Sequence, residues 1–270
     1  MLPNAPNLEL GHLRHKRLLE GAEAIAALQT VVARDEHRRI LDVGCGQGYQ
    51  RQLLEDIGNV LGLDIRKTQE TQSAPYGLLA DICKAPFRSG VFDVIHCSQV
   101  LSVLPDLDSA LSEMRRIGSD LAVYVFIVPT RAWLLVQLPS NCLSKIRAAP
   151  FFLSRRLKTD RHVADGALEH ARPKDTPGSV PGKFARIAEL VCRIVLPQGQ
   201  GERSYSESMS LFGRWKLVLE RNGFRVLKQS KLLFYGPSEW PIVPTSKWPV
   251  RFGLSSSELF ISVKSTNGLK

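Results

Sequence analysis

The chain lacks the cysteine pattern that a disulfide framework or a structural zinc site needs. Its 270 residues include five cysteines, an odd number, and none of them forms a C-x-x-C pair. The five are scattered along the chain at positions 45, 83, 97, 142 and 192. This spacing argues against disulfide scaffolds and zinc fingers, and we expect no metal site. Free thiols fit a reducing compartment, so a cytoplasmic protein is expected.

Long apolar runs and a secretory leader are also missing. The stretch Met1–Asn7 has no basic region followed by an apolar one, so we expect no signal peptide. The longest apolar run, Leu121–Val128, is much shorter than the roughly 20 residues that cross a bilayer. If the protein meets a membrane, we expect peripheral contact at the inner surface.

Acidic residues are scarce relative to basic ones. The chain has 36 Lys and Arg against 26 Asp and Glu, a formal net charge of +10. Twelve of the basic residues and only five of the acids fall within 131–193. Basic residues interleaved with apolar clusters can bind an anionic membrane surface, and an ordinary helical lid with a solvated basic face fits as well. Nucleic acid is disfavoured, because the aromatic residues cluster instead of forming a spaced stacking platform.

Strand-like and helix-like segments alternate over the first half of the chain. A helical pattern over 7–33 comes first. Strands are predicted at 39–43, 60–64, 77–80, 92–97 and 122–128, with helices at 48–56 and 107–117. Such alternation predicts a parallel sheet with helices on both faces. After residue 129 the pattern breaks, and it resumes with a helix at 208–221 and strands at 225–235 and 258–264.

The most informative stretch is Ile40–Tyr49, in which an apolar run ends at Asp42 and passes into a glycine loop. Glycine residues stand at alternate positions, Gly44, Gly46 and Gly48, and a helix-like segment follows. Glycine lets the backbone turn sharply and approach a ligand closely. The free N–H groups at the start of a helix then face that ligand. A nucleotide-like cofactor is therefore expected here.

The glycine spacing separates two classes of cofactor. The dinucleotide fingerprint G-x-G-x-x-G needs a third glycine where this chain has Tyr49. Asp42 is also unsuited to a pyrophosphate, whereas S-adenosylmethionine carries an ammonium, a sulfonium and a ribose diol but no phosphate. On this motif the chain resembles the class I S-adenosylmethionine-dependent methyltransferases, and within them the small-molecule branch called type 11. The resemblance covers about 39–130 and 206–264.

The resemblance implies a fold and a domain division. The expected fold is α/β: a Rossmann-like seven-stranded sheet with an antiparallel last strand, helices on both faces and a mostly helical insert after the fifth strand. We predict an N-terminal helical segment over 1–38 and a cofactor-binding core over 39–130 and 206–270. Residues 131–205 would form a basic lid over the substrate, since specificity loops lie above a rigid sheet.

The resemblance also assigns cofactor contacts along the chain. Asp42 would support the loop and the methionine moiety, and Asp64 would accept hydrogen bonds from the ribose hydroxyls. Asp81 would receive the adenine amine, because that amine only donates hydrogen bonds. The full set of predicted cofactor-binding residues is Asp42, Gly44, Cys45, Gly46, Gly48, Asp64, Ile65, Asp81, Ile82, Cys97, Ser98 and Gln99.

No catalytic base stands out. The family often has a histidine in the segment that corresponds to Ser102-Val103, and this chain has none there. The candidates are His96, His162, His170 and Glu202, of which His96 falls within a strand and is expected to pack in the core. A phenol or carboxylate acceptor would need no base, whereas a hydroxyl gains about 10²–10⁴-fold from one.

Three functions remain compatible with these patterns. The first is S-adenosylmethionine-dependent O-methylation of a small-molecule, glycan or lipid-linked acceptor by in-line transfer. The second is a methyltransferase-fold partner subunit that binds the cofactor without catalysis. The third, opposed by the glycine spacing, is an NAD(P)-dependent oxidoreductase. The run His96-Cys97-Ser98-Gln99 lacks the Asn/Asp-Pro-Pro-aromatic pattern of enzymes that methylate nucleobase amines.

Overall fold

A computed structural model describes residues 5–67, 77–136, 205–235 and 246–265 of the chain. By spatial clustering the chain divides into one unit of 1–135 with 199–270 and a second of 136–198. All described residues except Val136 belong to the first unit. The predicted lid over 131–205 lies almost entirely outside the described residues, as do the candidates His162, His170 and Glu202. The predicted domain boundaries therefore stay a prediction.

The described residues form a seven-stranded sheet in the order β3-β2-β1-β4-β5-β7-β6. The first five strands pair in parallel, and β7 is antiparallel to both β5 and β6. The predicted Rossmann-like sheet with an antiparallel last strand is confirmed. Its strands are β1 (Arg39–Val43), β2 (Asn59–Asp64), β3 (Gly77–Leu79), β4 (Phe92–Ser98), β5 (Gly118–Pro129), β6 (Phe224–Lys231) and β7 (Ser257–Lys264).

Helices and short turns connect the strands. Two of the helices bracket the glycine loop, since α1 precedes β1 and α2 begins just after the loop. The helices are α1 (Ala5–Leu28), α2 (Arg51–Glu55), α3 (Leu107–Ile117), α4 (Tyr205–Phe212) and α5 (Trp215–Arg221), with 3-10 turns at Ile82–Lys84 and Pro249–Phe252. Residues 131–136 are also helical.

Alternation along β5 explains why both faces of the sheet are covered. Tyr124, Phe126 and Val128 pack into one hydrophobic core with residues of α3 and α5. Val123, Val125 and Ile127 pack into a second core with residues of α1. Successive side chains of a strand point to opposite faces, so a run that is apolar at every position must be buried on both.

Several element boundaries differ from the predictions. The helix predicted at 208–221 is two helices, α4 and α5, which are separated at Gly213 and Arg214. Gly213 lies against the Arg131 guanidinium, where an added Cβ would stand 2.1 Å from Cζ. The strand predicted at 225–235 ends at Lys231, after which Leu232, Leu233 and Tyr235 turn into the second core. The helix predicted over 7–33 ends at Leu28.

Candidate functional site

The glycine loop follows β1 in a conformation that only glycine adopts readily. Gly44, Gly46 and Gly48 have φ angles of +71°, +53° and +69°. The N–H groups of Gly44 and Cys45 donate to the carbonyl of Leu63 at 2.6 and 3.2 Å, which fixes the loop against the end of β2. A Cβ at Gly44 would lie 2.1 Å from a methyl group of Val100. Both the backbone conformation and the close approach therefore require glycine at position 44.

Asp64 ties the end of β2 to this loop. Its carboxylate accepts hydrogen bonds from the N–H of Gly46 at 3.0 Å and from the N–H of Arg66 at 2.9 Å. A carboxylate offers about four lone-pair positions, so both oxygens can accept further bonds. The side chain can therefore organise the loop and bind a diol at the same time.

A cavity of about 310 Å³ lies at the carboxyl ends of β1 and β4. Open α/β sheets bind ligands at this edge, and the volume lies at the lower end of the usual range for small-molecule pockets. The loop, α1 and the end of β4 all contribute to the wall. The lining residues are Leu13, Arg17, Asp42, Gly44, Cys45, Gly46, Gln47, Tyr49, Gln50 and Ser98.

Asp42 is held by a histidine on the neighbouring strand. Asp42 of β1 and His96 of β4 are register partners, and their Oδ1 and Nδ1 atoms are 2.8 Å apart. Both side chains are buried, at 7% and 1% exposure. At this distance Nδ1 donates to the carboxylate. Nε2 of His96 is buried with no hydrogen-bond partner among the described residues. His96 is thus a packed residue that orients Asp42, and its burial leaves no path to a substrate.

The opposite wall comes from α1 through a buried polar cluster. Arg17 donates to Glu20 at 2.7 Å, and Glu20 is fully buried. The Tyr235 hydroxyl donates to the same carboxylate at 2.8 Å, and the Gln99 amide approaches it at 3.2 Å. Gln50 donates to the carbonyl of Arg17 at 2.6 Å. The cluster therefore joins α1 to the end of β4, to the start of α2 and to the segment after β6.

Burial and the neighbouring charges shift the pKa values of Arg17, Tyr235 and Lys16 in different directions. Burial acts to lower the pKa of Arg17, but the Glu20 carboxylate and Tyr235 outweigh it, so this pKa lies above its ordinary value. Burial, together with Glu20, raises the pKa of Tyr235 well above its usual range, so its hydroxyl stays a donor. Burial and the Arg17 charge lower the pKa of Lys16, whose ammonium lies 4.9 Å from the Tyr235 ring centre.

The predicted cofactor residues divide by position. Asp42, Gly44, Cys45, Gly46 and Ser98 line the cavity, and Gly48 and Asp64 shape the loop. The others do not line it: Gln99 joins the Glu20 cluster, Cys97 and Ile82 are buried in the first core, Ile65 is 67% exposed, and Asp81 caps the 3-10 turn by accepting from the N–H of Cys83. Their assignment to cofactor contacts stays a prediction.

Several residues of the cavity were missed by sequence reasoning. Leu13 and Arg17 lie on α1, about 25 residues before the loop, and Gln50 was assigned only to a helix. One signal was available for α1, because Arg17 and Glu20 are three residues apart and oppositely charged, which places them on one helix face. Nothing in the sequence links that pair to Tyr235 more than 200 residues later.

A larger cavity of about 740 Å³ lies between α4, α5 and strands β6 and β7. Arg131, Lys216 and Lys231 are among its lining residues, with Trp215 and Phe260. It touches neither the glycine loop nor the carboxyl ends of the parallel strands β1 and β4. We therefore place the functional site at the smaller cavity.

Comparisons with known proteins agree with this geometry. Residues 41–125 match the family model of a methyltransferase domain. A malonyl-[acyl-carrier protein] O-methyltransferase of Salmonella typhimurium is 27% identical over 151 residues, 54% of this chain and 57% of that protein. A human mitochondrial protein named arginine-hydroxylase NDUFAF5 is 34% identical over 92 residues, 32% of this chain and 27% of its own. The matched part thus covers 57% of the length of the first relative and 27% of the length of the second.

Solved structures share the fold. A Haloferax volcanii methyltransferase, solved in complex with the activator Trm112, superposes with a TM-score of 0.50 at 14% identity, covering 95% of each chain. At that identity the likeness concerns the fold alone. Within the described part of the chain, no helix is both long and apolar enough to cross a membrane.

Proposed function

We propose that this chain, a class I S-adenosylmethionine-dependent methyltransferase of the type 11 branch, methylates an oxygen atom of a small-molecule, glycan or lipid-linked acceptor. The single observation that carries the proposal is the cavity itself, because the glycine loop, Asp42 and Arg17 line it together. It would supply complementary groups for each polar part of the cofactor.

The amino-acid end of the cofactor bears one positive and one negative charge. Asp42 on the β1 side offers a carboxylate for the ammonium, and Arg17 on the α1 side offers a guanidinium for the carboxylate. Charge-assisted hydrogen bonds of this kind are about twice as strong as neutral ones.

The ribose end has its own candidate ligand. Asp64 already accepts two backbone N–H groups and keeps capacity for the two ribose hydroxyls. The hydroxyl of Ser98 is buried at the cavity wall without a hydrogen-bond partner among the described residues. A buried polar atom of that kind costs stability unless a ligand or water satisfies it. It would be satisfied by a ligand in this cavity.

An oxygen acceptor that is already anionic fits the chemistry best. When bound, S-adenosylmethionine supplies a methyl group that is activated by its sulfonium. The protein then needs mainly to hold the acceptor in line, which contributes roughly 7–11 kcal/mol of the barrier. Among the described residues that line the cavity, no histidine or glutamate is available as a base. A carboxylate or phenolate oxygen would not require one.

Calorimetric titration tests the cofactor assignment. The protein should bind S-adenosylmethionine and S-adenosylhomocysteine and should not bind NAD(H) or NADP(H). The substitution Asp64→Asn should weaken the binding of S-adenosylmethionine and of S-adenosylhomocysteine about tenfold, since a hydrogen bond to a charged group contributes roughly 1.5–3 kcal/mol. Binding of a nicotinamide cofactor with no binding of S-adenosylmethionine would refute the proposal.

Radiolabelled methyl transfer tests the acceptor class. Carboxylate-bearing acyl thioesters and phenols should accept label from the methyl-labelled cofactor, and the product of a carboxylate should release it on alkaline hydrolysis as an ester does. A simple alcohol should accept more slowly, because its proton has no place to go in this cavity. Label in an alkali-stable amine product would contradict O-methylation.

A binding role without methyl transfer is the second candidate. A 92-residue part of the chain also resembles a protein named as an arginine hydroxylase, so the resemblance does not by itself dictate the reaction. Tight cofactor binding combined with no transfer to any oxygen, nitrogen or carbon acceptor would favour this candidate.

The domain division predicted from the sequence, with 131–205 covering the acceptor, remains part of the proposal.

A further inference from the structure

A turn that does not line the cavity exposes aromatic side chains to solvent. We call residues 246–254 the aromatic turn. Trp248 and Phe252 are 66% and 68% exposed, and Leu254 is 50% exposed. The two rings contact each other edge to face, with centroids 5.1 Å apart. Contiguous exposed apolar groups of this size on a folded surface mark an interaction site.

The aromatic turn is a built structure and not a loose loop. Its 3-10 turn, Pro249–Phe252, ends at Gly253, whose φ of +80° reverses the chain. Lys231 donates to the carbonyl of Gly253 at 2.7 Å, and Ser246 forms a bridge with Phe234. Lys247 pairs with Glu23 of α1. These contacts fix the turn in a conformation that exposes the two aromatic rings. Burial of the rings against the protein would have stabilised the fold, so their exposure needs another explanation.

Charge indicates what the rings bind. The aromatic turn contains Lys247 and Arg251 and no acidic residue, and Lys231 lies against it. The whole chain carries a formal net charge of +10. A second copy of the chain would bring a second basic turn to the contact, whereas an anionic lipid surface is complementary in charge to this turn. Tryptophan with flanking basic residues is also the composition that proteins place at a bilayer interface.

We propose that the aromatic turn is a peripheral anchor for an anionic lipid bilayer. Trp248 and Phe252 enter the headgroup region, and Arg251 contacts the lipid phosphates. The proposal goes beyond methyl transfer and does not depend on it. It also locates membrane contact on residues other than the basic stretch 131–193. Through the Lys247–Glu23 pair the anchor is attached to α1, which forms one wall of the cavity.

Vesicle flotation of the full chain tests the anchor. The protein should float with phosphatidylcholine vesicles that contain about one third phosphatidylglycerol and much less with pure phosphatidylcholine, and raised salt should weaken binding. The double variant Trp248→Ser/Phe252→Ser should lower the bound-to-free ratio at least about tenfold, as loss of two buried apolar side chains implies. Leu121→Ser is the matched control, since Leu121 is 90% exposed but precedes the buried part of β5, and it should leave binding unchanged.

A second measurement, quenching of tryptophan fluorescence, distinguishes loss of membrane contact from unfolding of the double variant. Vesicles of brominated lipid should quench wild-type fluorescence, and the quenching should shrink in Trp248→Phe, which keeps an apolar ring. The proposal would be overturned if the wild-type protein did not float. It would also be overturned if the double variant floated as well as the wild type, and that result would direct attention to 131–193. Concentration-dependent dimerisation that the double variant abolishes would also overturn it, in favour of a second copy.

Discussion

The cavity has two walls that are built in different ways. The loop wall consists of neighbouring residues, Asp42 to Gly48, fixed by backbone hydrogen bonds to the end of β2. The helix wall consists of Leu13 and Arg17 of α1. Arg17 is supported by a buried network from distant segments, formed by Glu20 of α1, Gln99 after β4 and Tyr235 after β6. The loop wall depends on backbone conformation, and the helix wall depends on a buried charge network.

The difference predicts how each wall fails. A Cβ added in the loop wall at Gly44 has to displace either the glycine loop or the Val100 side chain, so it should act first on ligand binding. A broken contact in the helix wall leaves a buried charge without its partner, so it should act first on stability. Substitutions in the two walls should therefore separate loss of binding from loss of folding.

The largest expected effect is that of Gly44→Ala. The new methyl group would meet Val100 at 2.1 Å in a backbone conformation that alanine rarely adopts. We expect at least about a hundredfold loss of S-adenosylhomocysteine affinity, corresponding to roughly 2.7 kcal/mol. Calorimetry on the purified variant provides the measurement.

Gly90→Ala is a matched control, because Gly90 has nearly the same φ, +72°, with nothing within 4 Å of the added Cβ. It should show only the strain of a left-handed residue, about 1–2 kcal/mol in the free energy of unfolding, and no change in affinity. Equal binding losses in both variants would mean that strain, and not the collision with Val100, explains the requirement for glycine at position 44.

The next largest effect is expected from Glu20→Gln in the helix wall. This change keeps the shape of the side chain but removes the charge that Arg17 and Tyr235 contact. Leaving a buried ion pair without one partner typically costs about 3–5 kcal/mol in the free energy of unfolding, and the retained amide should reduce this to about 2–4 kcal/mol. Urea denaturation would measure it. Glu23→Gln, at a partly exposed pair, should cost under about 1 kcal/mol.

Arg17→Met should change ligand preference. If Arg17 binds the cofactor carboxylate, S-adenosylhomocysteine should lose about 10–100-fold in affinity. Methylthioadenosine, which lacks the amino-acid end, should bind the variant and the wild type equally well. Comparing two ligands on one variant corrects for any loss of stability. An equal loss for both ligands would show that Arg17 only supports the wall.

The smallest effect is expected from Tyr235→Phe. The hydroxyl donates one hydrogen bond to Glu20, and the ring with its packing remains. We expect a loss of about 1–2 kcal/mol in the free energy of unfolding with little change in cofactor affinity. A melting curve and a calorimetric titration on the same sample would measure both. If Tyr235→Phe lost as much cofactor affinity as Gly44→Ala, the two walls would not differ in the way that is predicted.

Much of the fold could be predicted from periodicity alone. The bounds of β1 and α3 agree with the predicted ranges, because a short apolar run that ends at a glycine loop and a capped amphipathic helix are local patterns. The break at Gly213 had a local signal, since a glycine inside a helical pattern can mark a helix end, but the predicted helix continued through it. The extra length of the predicted sixth strand has a long-range cause, because Leu232 and Leu233 leave the sheet and fill the core beneath α1.

The candidate site shows the same difference between what local sequence encodes and what long-range contacts decide. Residue type and spacing in one short segment indicated the glycine loop and its cofactor class, since the conformations that glycine adopts are encoded locally. The role of Asp64 toward the cofactor stays a prediction. The structure alone decided that His96 holds Asp42, that Gln99 turns to Glu20 instead of the cavity, and that Arg17 forms a wall. These facts depend on which distant side chains share a buried volume. Burial selects those partners only after the chain has folded, because a buried polar group must find a partner wherever the packing places one.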